Sequence, residues 1–146
     1  MKLLKRQPER LDSMKDFELH IVTPDGSFFD GRAERVVVRT MEGDICILPR
    51  HTDILTALEG GVCRVVYGGE TRLAACNGGM IAVLKGKVTI SAITFEWKED
   101  IDLERAVKSK EFAEEKLNST SSAQERAMAE ARLKRALVRI NTIKKN

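Results

Sequence analysis

From Phe17 onward apolar and polar positions alternate. Phe17, Leu19 and Ile21 stand against Glu18 and His20, the period-two signature of a strand with one buried face. Similar short segments follow at residues 32–39, 45–48, 62–67, 71–76, 80–84 and 88–93. Pro24-Asp25-Gly26, Glu42-Gly43-Asp44, Gly60-Gly61, Gly68-Gly69, Asn77-Gly78-Gly79 and Lys85-Gly86 separate them. Such groups mark turns, because proline pre-sets φ and glycine accepts positive φ. Short strands with frequent turn signals predict an antiparallel β-sandwich over 17–98, with the Gly-Gly pairs as hairpin turns.

Past Trp97 the period becomes helical. All ten glycines lie between Gly26 and Gly86, and residues 87–146 contain neither glycine nor proline. Asp102 is a suitable N-cap for a helix over 103–117, with Leu103, Ala106, Val107, Ala113 and Leu117 on one stripe. Ser122-Ala123-Gln124-Glu125 is a capping box that opens a second helix reaching at least Ile143. Ala129, Leu133, Ala136, Ile140 and Ile143 form its seam. The short polar connection at 118–122 makes the two helices antiparallel. The predicted class is therefore α+β, a sandwich followed by a helical hairpin over 99–146. Alanine-rich seams bury little area, so the hairpin is expected to depend on docking, against the sandwich or a partner. Residues 1–16 are charged and aperiodic and are read as a poorly ordered tail.

Charge is unevenly spread. Residues 1–100 carry 14 basic and 15 acidic side chains, whereas 123–146 carry 7 basic and 2 acidic. A basic second helix suits an acidic or polyanionic partner. Arg132, Arg135 and Arg139 fall within roughly 60° of one another beside its apolar seam. Arginines so placed suit a carboxylate or a phosphate.

Catalytic chemistry is not indicated. His20 and His51 are the two histidines, and no cluster with metal-ligand spacing, nucleophile elbow or P-loop is present. Cys46, Cys63 and Cys76 sit among apolar or small residues and read as reduced, packing thiols. No apolar run approaches the ~20 residues of a membrane span, and the N-terminus lacks the apolar core of a signal peptide. The readings open at this point are a switch built on the docking hairpin, a nucleic-acid-binding adaptor using the basic helix, and a β-barrel enzyme. The adaptor reading is weakened by 5% aromatic residues and a near-neutral β-region.

One segment is more specific. Gly43, Pro49 and His51 form a G-x-x-x-x-x-P-x-H run, followed by a strand leading to Gly60, with Ile21-Val22-Thr23-Pro24-Asp25-Gly26 upstream. Together with the β-then-hairpin plan over 17–146, this resembles the epsilon (mitochondrial delta) chains of the rotary F-type ATP synthase. The resemblance implies a non-catalytic rotor subunit. Its sandwich would join the gamma subunit to the c-ring at the cytoplasmic face of the bacterial cell membrane, peripheral to the bilayer, with no nucleic-acid partner. Glu42, Gly43, Asp44 and His51 would face the c-ring. The hairpin would either fold on the sandwich or extend along gamma toward the alpha and beta subunits. When extended it would inhibit ATP hydrolysis, with Arg132, Arg135 and Arg139 near an acidic beta-subunit loop.

No cofactor is required by this resemblance, but some bacterial members bind ATP on the folded hairpin. Glu96, Ile101, Asp102, Arg105, Ala106, Arg135 and Arg139 match that site. Phe112 stands where tight binders carry an arginine, a loss of about 1.5–3 kcal/mol if the arginine touches phosphate, so weak regulatory binding is expected. Family members commonly begin near the first strand, which makes Met14 the expected initiator.

Overall fold

The computed structural model describes residues 15–146. The expectations for the tail at 1–14 and for Met14 lie outside them. Eight strands run in order: β1 (Phe17–Thr23), β2 (Gly26–Ala33), β3 (Arg35–Thr40), β4 (Gly43–Ile47), β5 (Ile54–Tyr67), β6 (Glu70–Leu84), β7 (Lys87–Ala92) and β8 (Phe95–Trp97). A 3-10 turn at Lys98–Asp100 leads to helices α1 (Leu103–Ser119) and α2 (Ala123–Lys144). The strand order is β2-β1-β7-β6-β5-β3-β4, with β8 on β6.

Alternation in β1 works as the sequence predicts: Phe17, Leu19 and Ile21 are buried, and Glu18 is exposed. Val36, Val38, Ile47, Val65, Ile81, Val83, Val88 and Ile90 join them in one core, closed at the β8 end by Phe95 and Trp97.

The glycine pairs are not all turns. Gly60-Gly61 and Asn77-Gly78-Gly79 lie inside two long strands, β5 and β6, which pair from Ile54↔Val83 to Tyr67↔Glu70. Gly60 pairs with Asn77, so the glycines of one strand face the glycine-rich stretch of the other. Both strands can then bend together and serve both halves of the sandwich, the usual way a strand turns a corner. Gly79 has φ +128°, and a Cβ there would lie 2.0 Å from the Ser91 carbonyl oxygen, so only glycine fits.

Three other departures have local causes. The segment expected at 32–39 is two strands broken at Glu34, whose N–H donates to the Val66 carbonyl and whose carboxylate accepts from the Gly69 N–H. β1 and β7 pair in parallel, Leu19 opposite Val88, so the sheet is not wholly antiparallel. β8 is too short to show an alternating period and is held by pairing with Ala74–Cys76.

The helices follow their predicted signals with small extensions. The Asp102 carboxylate accepts from the Arg105 N–H at 3.1 Å, and Ser122 Oγ accepts from the Glu125 N–H at 3.3 Å. The second half of the capping box runs through Thr120: its hydroxyl donates to Glu125 at 2.6 Å and accepts from the Ser122 N–H. Ala106, Ala113, Ala129, Ala136 and Ile140 are buried, but Leu103 is exposed and does not join the seam. Thr142 is fully buried, its hydroxyl donating to the Val138 carbonyl at 2.7 Å.

Candidate functional site: the cleft under the helical hairpin

α2 is the helix that packs on β5 and β6, while α1 packs on α2. The bend at Gly60 allows this approach. A Cβ on Gly60 would come within 3.2 Å of the Val138 methyl. Two polar contacts fix the far end of α2: Arg139 Nε to Glu96 Oε1 at 2.5 Å, and Lys98 Nζ to the Lys145 carbonyl. The Arg139–Glu96 pair is half-buried, and such a charge-assisted bond is stronger than a surface pair.

Beside this contact lies a cleft of about 620 Å³. β8 contributes Glu96, the N-cap of α1 contributes Asp102, and the first turns of α1 contribute Arg105 and Ala106. Arg132, Arg135 and Arg139 enter from α2. The structure thus brings together every residue of the expected ATP site except Ile101. Ile101 is half-buried and lines a separate groove with Leu103, Lys98 and Ile143. Its N–H donates to the Lys98 carbonyl and closes the 3-10 turn.

The cleft also holds Asp100, Lys108 and Ser109, which sequence reasoning missed, together with Phe112. A signal was present: Asp102, Arg105, Ser109 and Phe112 are spaced three, four and three apart, one face of a helix. Arg105, Lys108, Arg132, Arg135 and Arg139 outweigh Glu96, Asp100 and Asp102, so the lining is net basic. Among the described residues, Arg105 and Arg135 make no ion pair, whereas Arg139 is committed to Glu96. The arrangement can receive an anion, and its polyvalent basic lining suits a phosphate chain better than a single carboxylate.

The residues expected to face a c-ring fall in two places. Gly43 (φ 115°) and Glu42 form the β3–β4 turn, braced by the Thr40 hydroxyl donating to the Gly43 carbonyl at 2.7 Å. Asp44 pairs with Arg39 at 2.8 Å. His51 lies past the other end of β4, and its Nδ1 is 2.7 Å from the Thr52 carbonyl oxygen. Ile45, Cys46 and Ile47 of β4, at about 3.4 Å each, and then residues 48–50 separate Asp44 from His51. No hydrogen bond or ion pair joins them among the described residues.

Family models agree with this plan. The beta-sandwich domain of the ATP synthase delta/epsilon chain matches residues 16–98, and its long alpha-helix domain matches 99–144. The chain belongs to the ATP synthase delta/epsilon family. It is 41% identical over 128 residues to the ATP synthase epsilon chain of Bacillus velezensis, covering 88% of this chain and 97% of that one. The ATP synthase epsilon chain of Caldanaerobacter subterraneus is 39% identical over 132 residues, covering 90% and 96%. A chain of the Euglena gracilis mitochondrial ATP synthase, solved with its c-ring, is similar at TM-score 0.73 and 25% identity over 82% of this chain and 76% of that one. A Tetrahymena thermophila mitochondrial ATP synthase central-stalk chain shares the fold at TM-score 0.61 and 16% identity, covering 86% and 95%. As a delta/epsilon-family chain it is a non-catalytic subunit of ATP synthase. No helix among the described residues is long and apolar enough to cross a membrane.

Proposed function

We propose that this epsilon-family chain is a central-stalk rotor subunit whose sandwich couples gamma to the c-ring and whose hairpin restrains ATP hydrolysis. The observation that carries the reading is the attachment of the hairpin. One helix, α2, holds it to the sandwich across a glycine bend, so it can leave without disturbing the core. Glu42, Gly43, Asp44 and His51 are assigned to the c-ring side. Arg132, Arg135 and Arg139 are assigned to an acidic beta-subunit loop in the extended state. Family membership and the cytoplasm-facing position of such rotors in bacteria support a peripheral place on the cytoplasmic face of the cell membrane. The cleft arrangement counts against a nucleic-acid adaptor, because those arginines line a recess shared with α1 instead of forming an open stripe.

The same cleft is assigned to ATP as a weak regulatory ligand. Arg105, Arg135 and, on release from Glu96, Arg139 supply phosphate contacts, and a ligand bridging α1, α2 and β8 would favour the docked hairpin by its differential affinity for that state. Ile101 is left with a structural part in the linker.

The test is hydrolysis by the reconstituted complex with full-length chain and with a chain ending at Asp100. Truncation is expected to raise hydrolysis while assembly with gamma persists. Unchanged hydrolysis would remove the inhibitory role and leave the coupling role standing. For the ligand, isothermal titration of the full chain with millimolar ATP should show weak, saturable heat, and its absence would sink the assignment.

A further inference from the structure

Arg132 is held twice by the neighbouring helix. Its Nε donates to Ser109 Oγ at 3.0 Å, and its guanidinium carbon lies 4.3 Å from the centroid of the Phe112 ring. Ser109 and Phe112 are three residues apart and so share one face of α1. We infer that Phe112 and Ser109 form a clasp that stores Arg132 against α1 and fastens the two helices to each other without a ligand. The inference deepens the proposed inhibitory role of Arg132 and rests on that reading for its effect on hydrolysis, though the clasp itself does not.

Three observations carry it. Phe112 is 46% exposed and stands outside the alanine seam, so core packing does not explain its position. α1 reaches the rest of the molecule mainly through α2, and Ala106, Ala113, Ala129 and Ala136 dominate the buried residues of that contact. One further inter-helix contact therefore has unusual weight. Finally, among the described residues Arg132 has no carboxylate within ion-pair distance. Its partners are a ring face and a hydroxyl, both neutral and both weaker than a carboxylate. An acidic loop can therefore take Arg132 from the clasp, while water alone leaves it in place. A second cation in place of the ring would repel Arg132 and require an anion between the helices. The ring removes that requirement.

The clasp is tested on the isolated full-length chain, without nucleotide, by amide hydrogen exchange across α1. Phe112→Leu keeps an apolar group and removes the ring. It is expected to speed exchange of α1 amides about two- to fivefold, the range an exposed cation–ring contact supplies. Phe112→Tyr keeps the ring and should restore the wild-type rate. In the reconstituted complex, Phe112→Leu should lower hydrolysis relative to wild type, since Arg132 is freed for the acidic loop. Equal exchange in the Leu and Tyr variants would overturn the clasp. If exchange responds as expected but a chain ending at Asp100 hydrolyses no faster than the full chain, the clasp stands and the inhibitory reading fails.

Discussion

Cys63 and Cys76 show how burial alone sets the chemistry of a residue. They are diagonal neighbours across β5 and β6, since Cys63 pairs with Ala74 and Gly61 with Cys76. Burial pushes the Cys76 thiol from its ordinary 9.0 up to about 11, partly offset by a hydrogen bond with the Gly78 backbone. Burial also raises Cys63 well above that ordinary value, and the nearby Cys76 adds to the effect. The neutral thiol is thus favoured in the folded state. Between about pH 9 and 11 the unfolded chain ionises first, so stability falls as pH rises through that window. For Cys76 the loss approaches roughly 2.7 kcal/mol, two units at 1.36 each. Cys76→Ala should flatten the decline in melting temperature over this range, and a slope equal to wild type would contradict the account. At pH 8 a thiol reagent should modify only the exposed Cys46 in the folded chain and all three cysteines in denaturant.

At the scale of elements, signals carried by neighbouring residues were legible and signals set by distant ones were not. Asp102 and Ser122 cap the helices as their spacing indicates, because an N-cap bonds an amide three residues away. Gly60-Gly61 and Asn77-Gly78-Gly79 look like hairpin turns for the same reason that Gly68-Gly69 does: glycine relaxes the backbone in either case. Only the pairing of Gly60 with Asn77 turns two breaks into one shared bend. The parallel contact of β1 with β7 likewise has no local signature. The cleft divides along the same line. The face Asp102, Arg105, Ser109, Phe112 is written in helical spacing. Glu96 and Arg139 are 43 residues apart, and nothing near either residue announces their bond. The family resemblance supplied both names, and the fold supplies the reason they belong together. Ile101 shows the reverse, since a motif position matched while the residue lines a different groove.

At the scale of the molecule, the stability of the two parts should be unequal, and this follows from what each buries. The sandwich encloses Leu19, Ile21, Val36, Ile47, Val65, Ile81 and Ile90 with none of their surface exposed. The hairpin closes mainly on alanines, and α2 draws its larger buried side chain, Ile140, from the end that rests near the sandwich. Helices of this length are marginal in water without a packed face. A chain of residues 101–146 alone should therefore lose most of its helix. Its mean ellipticity at 222 nm should fall below about half that of a stable two-helix hairpin. In the full-length chain, amides of α1 and α2 should exchange through an opening of lower free energy than that of β5 and β6, as expected of a segment that moves as a unit. A fragment as helical as the intact hairpin would refute the dependence on docking. The hairpin would then be a rigid body whose position is set by its partners alone, and the contacts of Arg139 with Glu96 and Val138 with Gly60 would hold its place without holding its fold.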